Sequence, residues 1–215
     1  QTELAEALTG LRQTSAGTIE VDGKAVKGSP KDFIKRGVSH IPEDRIGTGC
    51  IPAFTCIENV IMKKYDSAPI RKGFTIDKKT AHQIGMEMLS TYDVRMPSES
   101  TPVKLLSGGN MQKLILAREL SCNPKLIIAM HPTYGLDVSA VEIVHKYLIK
   151  EQEKGTAILL ISEDLDELLT LSDSLTVMFK GKMTEKRDIH KWTIDEIGYE
   201  MMGLNYKEEE KEALC

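Results

Sequence analysis

Beyond Leu105 the sequence alternates strand-length apolar runs with helix-length amphipathic stretches, and no other feature restricts the fold so tightly. The spacing predicts a helix over 109–121, a strand over 126–129, a helix over 139–154 closed by Gly155, and a strand over 157–161. A short helix over 165–171, a strand over 175–179 and a turn at Lys180-Gly181 follow. Strands alternating with amphipathic helices imply an α/β fold whose mainly parallel sheet is flanked by helices. In such sheets ligands collect just beyond the carboxyl ends of the strands. The strand over 126–129 delivers Met130 and His131 to that place, and Pro132 turns the chain.

Earlier in the chain, "TIEV" alternates like a strand and Asp22-Gly23 is a hairpin signal. "KDFIKRG" resembles a short helix closed by Gly37, and "VSHI" a strand that runs into Pro42. Over 55–92 the periodicity is helical, with Ile57, Val60, Ile61 and Tyr65 in one stripe and Ala81, Ile84, Met88 and Leu89 in another. The methionines here read as adaptable core filler. The opening "QTELAEALTGL" sets Leu4, Leu8 and Leu11 at helical spacing with no capping residue and no preceding strand, so the chain reads as a fragment. The expected organisation is an α/β core over 1–54 and 105–203, a helical subdomain over 55–104, and a charged tail over 204–215.

A net charge of −4 gives no global electrostatic footprint for nucleic acid. No apolar run approaches the roughly 18 residues of a membrane span, and no signal-peptide pattern opens the chain. Cys50, Cys56, Cys122 and Cys215 lack CxxC spacing and a nearby histidine pair, which favours reduced thiols in a cytosolic protein over a zinc site.

The chemistry-bearing motif is "LLSGGNMQKLILAREL". Ser107, Gly108 and Gly109 stand directly before an amphipathic helix carrying Met111, Leu114, Ile115 and Leu120. A helix start leaves backbone N–H groups unpaired and carries a partial positive charge, so it attracts phosphate. Two glycines allow close approach of an anion, and the serine hydroxyl adds a donor. Taken alone, the tripeptide reads better as an ordinary N-cap with a Gly-rich turn.

It does not stand alone. Leu106-Ser107-Gly108-Gly109, then a strand, then "PTYGLD" resembles the ATPase cassette of ABC transporters, in which a signature motif, a Walker B strand and a D-loop come in this order. "GVSHIPEDR" stands where that family has its Q-loop, with Glu43 at the glutamine position. Pro-Glu-Asp-Arg together with Leu-Ser-Gly-Gly-Asn is similar to a narrower group: the second, C-terminal cassettes of two-cassette ATP-binding subunits from bacterial importers of simple sugars and nucleosides. The likeness runs from Gln1 to about Gly203. Met111, Tyr134 and Ser139 stand where Gln, Arg and Gly are common in that group.

The resemblance implies an ABC-type P-loop NTPase cassette with a helical subdomain, lacking its first strands and most of its phosphate loop. Gln1 and Thr2 would be the last two positions of that loop, with Gln in place of the usual Lys. Met130 and His131 would occupy the positions of the Walker B acids, and Glu163 that of the switch histidine. A thioether is a poor partner for Mg²⁺, and a carboxylate at 163 would repel a phosphate. His131 has an imidazole suited to general-base work, but phosphoryl transfer depends chiefly on positioning and charge neutralisation. With the metal-holding Asp, the Lys and the switch His all replaced, His131 reads as a relic position and the local site as degenerate.

In the ABC family each ATP lies between the phosphate loop of one cassette and the signature of the other. Ser107, Gly108 and Gly109, helped by Asn110, would thus act on ATP held by a partner cassette, which would also hold most of the Mg²⁺. Asp137, in the D-loop, would communicate across the cassette interface, and Glu43 would sit at a hinge. The partners implied are a second cassette, a transmembrane permease docked on 55–104 and, indirectly, a solute-binding protein, with no nucleic acid. The implied place is the cytoplasmic face of the bacterial plasma membrane, peripherally held. The complete subunit would couple ATP hydrolysis to import, and this chain alone would be inactive. A soluble ABC-type ATPase unconnected with transport and a non-catalytic regulatory cassette are the competing readings.

Overall fold

The computed structural model describes residues 1–204, which fall into two compact units, Thr2–Ile161 and the chain from Ser162 onward, with Gln1 grouped in the latter. The first unit opens with α1 (Thr2–Leu8), the hairpin β1 (Ile19–Val21) and β2 (Lys24–Val26), α2 (Pro30–Lys35) and β3 (Val38–Ile41). A wide turn at Arg45–Gly49 leads to α3 (Cys56–Val60), a hairpin of β4 (Arg71–Lys72) and β5 (Thr75–Ile76), and α4 (Lys78–Thr91). Then come α5 (Gly108–Leu120), β6 (Leu126–Met130), α6 (Val138–Glu153) and β7 (Ala157–Ile161).

Three strands form the expected parallel sheet in the order β3-β6-β7, with Ile41 beside Ala129 and Met130 beside Ile161. Ile127, Ile128 and Ala129 are wholly buried, as an apolar run covered on both faces requires. Strand alternation sends Ile128 and Met130 into a core with Ala5, Val21, Val26, Phe33, Val38 and Ile161. The opposite face is covered by α5, which packs on β3, and by α6, which packs on β7.

The helix over 109–121 is present, but it is not amphipathic in its setting. From Met111 to Leu120 only Lys113 escapes burial, because α3, α4, α6 and β3 surround it. The stripes over 55–92 also need correction. Tyr65 lies beyond α3 and is exposed, while on α4 the buried set is Ala81, Gly85, Met88 and Leu89. Gly85 faces α3: an added Cβ there would lie 2.9 Å from Ile57 Cγ2. At the opening, Ala5 is the buried residue of α1, and Leu11, expected in its stripe, is exposed.

The second unit holds α7 (Leu165–Leu171), β8 (Ser174–Leu175), β9 (Met178–Phe179), β10 (Lys182–Met183), β11 (Arg187–Asp188) and α8 (Ile194–Met202). The single strand expected over 175–179 is broken in two. Thr184 N–H still donates to the Val177 carbonyl at 2.9 Å, but Val177 N–H donates to Thr184 Oγ1 and Thr176 Oγ1 to the Thr184 carbonyl, so side chains replace part of the backbone pairing there. Trp192 anchors this unit, donating through Nε1 to the Leu175 carbonyl with the Arg187 guanidinium 3.4 Å over its ring. Except for Leu204, the expected charged tail lies outside the described residues.

Candidate functional site

Two loops meet at one end of α5. Ser107 is the N-cap of α5: its Oγ accepts from Asn110 N–H at 3.4 Å and from Asn110 Nδ2 at 3.1 Å. With both acceptor positions taken, the serine hydroxyl proton remains available to donate. Asn110 Oδ1 accepts from Arg95 N–H at 2.9 Å, so this amide is tied to the protein at both ends. Ser107 and Gly108 are exposed, and Gly109 and Asn110 are half-buried.

The glycines differ in setting. A Cβ on Gly109 would just touch Ala140 Cβ on α6 at 3.4 Å, a contact that can be accommodated. A Cβ on Gly108 would meet nothing nearer than Leu136 Cδ2 at 3.9 Å. The protein itself therefore leaves room for a side chain at 108.

Leu136 belongs to the loop after β6, which ends on Asp137. Asp137 caps α6, its Oδ1 accepting from Ala140 N–H at 3.0 Å and from the Ser139 hydroxyl at 2.6 Å. The Ser139 hydrogen bond, followed by that from the Ala140 backbone, holds its carboxyl below the usual range. Around these loops large apolar side chains stand in water: Leu105 is 66% exposed, Tyr134 69% and Val138 77%. Apolar groups gathered beside polar caps are the makings of a contact surface.

The strand end is different. Met130 is 5% exposed and packed in the core on the α1 side of the sheet, so its thioether is a filler and not a ligand. His131 takes a left-handed backbone, φ +42°; its N–H donates to the Ile161 carbonyl at 2.8 Å and its carbonyl accepts from Tyr134 N–H at 3.1 Å. Thr2, the first residue of α1, is exposed, and so is Gln1. Glu163 lies in the second unit, exposed, one residue before the Asp164 cap of α7. Among the described residues no group of three or more His, Cys, Asp and Glu is arranged to hold a metal ion. The Met130–His131 end does not fit Mg²⁺, which needs hard oxygen ligands.

Glu43 is exposed in the turn after β3. Its neighbours carry contacts that sequence reasoning missed. Asp44 closes the turn, accepting from Ile46 and Gly47 N–H, and Arg45 reaches Gln112 and the Tyr134 carbonyl. At the other end of α5, Glu119 is 1% exposed and ion-paired with Lys63 and Arg118. It also accepts from His40 N–H at 3.0 Å, filling the open edge of β3. Burial alone would raise the Glu119 pKa, but Lys63 and Arg118 hold it below the usual range. Burial pushes the His40 imidazole down, and its Nε2 has no hydrogen-bond partner. His40, Lys63, Arg118 and Glu119 line one wall of a cavity of about 400 Å³ whose rim carries Leu11, Ile34 and Ile51. The only sequence signal for this cluster was a charged pair, Arg118-Glu119, inside an apolar helix.

The family model for the ABC transporter matches residues 1–134. The chain is 40% identical over 209 residues to the guanosine import ATP-binding protein NupO of Bacillus subtilis (strain 168), covering 97% of this chain and 41% of that protein. It is 37% identical to the nucleoside import ATP-binding protein NupA of Lactococcus lactis subsp. cremoris (strain MG1363), covering 97% and 41%. The glucose import ATP-binding protein TsgD13 of Haloferax volcanii is 38% identical over 94% of this chain and 38% of its own length. The dimeric structure of MJ0796, a bacterial ABC transporter cassette, superposes with a TM-score of 0.72 at 19% identity, covering 89% of this chain and 81% of that one.

The family match and the shared fold together make this α/β chain an ABC ATPase cassette. The chain belongs to the ABC transporter family and is related to the ATP-binding subunits of nucleoside and sugar importers. It spans about two-fifths of the length of those relatives. Cassettes of this family bind ATP with Mg²⁺ and hydrolyse it. Among the described residues no helix is long and apolar enough to cross a membrane.

Proposed function

We propose that this chain is the second cassette of an importer's ATP-binding subunit, working with a transmembrane permease to move nucleosides or simple sugars. In this reading it completes an ATP site whose phosphate loop and Mg²⁺ belong to the first cassette. Ser107, Gly108 and Gly109 supply donors to the triphosphate, Asn110 orients the serine, and Asp137 faces the partner cassette. Residues 55–104 form the helical subdomain that engages the permease at the cytoplasmic face of the membrane, and a solute-binding protein delivers the cargo. The family's own-site positions in this chain (Thr2, Met130 and His131 in the first unit, Gln1 and Glu163 in the second) support no turnover, so the isolated chain has background ATPase activity only.

The observation that carries this reading is the contrast between an exposed helix start that its own packing does not fill and a strand end whose metal position is a buried methionine. Chemically, the first can bind an anion and the second cannot hold a cation. The test is steady-state ATPase and uptake by the complete subunit reconstituted with its permease. Ser107→Ala is expected to abolish both, while His131→Ala leaves both near the unaltered level. Tolerance at Ser107 with collapse at His131 would invert the assignment, and brisk turnover by this chain alone would end it.

A further inference from the structure

The turn after β3 sends out one side chain for which the cassette reading has no role. Arg45, half-buried, donates through Nε to Gln112 Oε1 at 2.8 Å on α5 and through Nη2 to the Tyr134 carbonyl in the loop after β6. These partners lie 67 and 89 residues away in sequence, so no local turn or helix rule calls for the contacts. Gln112 is 1% exposed, and its Nε2 has no hydrogen-bond partner. A buried amide that leaves its own donor unmade is costly, so its orientation, with the oxygen on Arg45, has been given priority over its own satisfaction.

The base from which Arg45 projects is fixed. Asp44 Oδ1 accepts from Ile46 N–H at 3.0 Å and Gly47 N–H at 2.9 Å, and a Cβ on Gly47 would fall 2.2 Å from Asp44 Oδ2. The guanidinium is a planar fork that can serve two acceptors at set angles, which an ammonium on a flexible stem cannot. At the receiving ends, Gln112 is one turn beyond the Ser107–Gly108 helix start, and Tyr134 is three residues before Asp137.

We propose that Arg45 is a positioning residue that holds the Ser107 helix start and the Asp137 loop in one register with the turn carrying Glu43, so that displacement of any one is passed to the other two. The consequence for turnover rests on the importer reading above; the linkage itself does not.

Two measurements test it. In this chain, amide hydrogen exchange is compared among the unaltered protein, Arg45→Lys and Arg45→Ala. Exchange is expected to rise about tenfold in 106–112 and 132–138 in both variants and to stay unchanged in β3, β6 and β7. In the complete subunit with its permease, Arg45→Lys should lower kcat about tenfold with KM for ATP within about twofold. The Arg45→Ala/Gln112→Ala double variant should be no worse than either single one, since the pair acts as a unit. A rise in exchange spread over the sheet would make Arg45 an ordinary stabilising contact. Unchanged exchange in both loops, or additive losses in the double variant, would remove the linkage. If the unaltered subunit proves to lack ATPase activity, the importer reading falls and the exchange pattern alone decides the linkage.

Discussion

The start of α5 and the end of β6 occupy adjoining loops of the same unit, and they have been treated oppositely. At the helix start, polar groups are kept in water and arranged: Ser107 is oriented by Asn110, Gly108 is left bare, and three large apolar side chains stand exposed around them. At the strand end the last side chain, Met130, is apolar and sunk in the core. One loop thus keeps its polar groups and large apolar side chains in water, while the other commits its last strand residue to the core. Burial at Met130 contributes to folding, whereas the exposure of Ser107 and Gly108 contributes nothing to the core and leaves them free for the role proposed above.

That contrast can be broken or sharpened by substitution. The largest effect is expected from Gly108→Ala in the complete subunit. The added methyl has space in this chain, so thermal stability should not fall, yet ATPase activity should drop about 100-fold, as when a preorganised donor is displaced. A fall in melting temperature together with activity would mean that glycine was needed for packing after all.

Met130→Asp comes next. Restoring the acid of an active cassette would bury an unpaired carboxylate among aliphatic side chains, costing about 4 kcal/mol or more in denaturant titrations and recovering no activity in the isolated chain. Recovery of ATPase activity would show that the degenerate site lacks only one ligand.

Smaller and pH-dependent is the effect of Glu119, which secures the far end of α5. Its folded pKa lies below the unfolded value, so its contribution is complete above the ordinary carboxylate pKa of about 4.3 and is lost as pH falls through the folded value. Glu119→Gln should therefore flatten the acid limb of the stability profile. An unaltered limb would show that Lys63 and Arg118 do not hold it ionised. The smallest effect should be His131→Gly: relief of the left-handed backbone is worth about 0.5–1 kcal/mol of added stability, with no change in turnover.

Much of this was legible in residue order. Period and punctuation located β3, β6, β7 and the helices between them, and the Ser-Gly-Gly helix start stood out because its features are local: a cap, two small residues, a stripe beginning. What was not legible is made by contacts far apart in the chain. Arg45 looks like any charged turn residue until Gln112 and Tyr134 are brought to it. Lys63 reads as a surface lysine, yet it is 14% exposed because Glu119 draws it inward. The β4–β5 hairpin was missed because two-residue strands leave no period, and Gly85 because a glycine buried in a helix carries no hydrophobic signal. The burial of α5 on all sides could not be read from α5 alone, since it depends on four neighbours.

Gln112 and Glu119 are seven residues apart on α5, two turns of about 3.6 residues each, and so lie on nearly the same side of the rod. Arg45 grips the first, and the edge of β3 grips the second. A cylinder fastened at two points along one surface line cannot roll about its own axis while both hold, and keeps only a swing about that line. Ser107, which caps this rod, is therefore referenced to β3 and its turn through both fastenings.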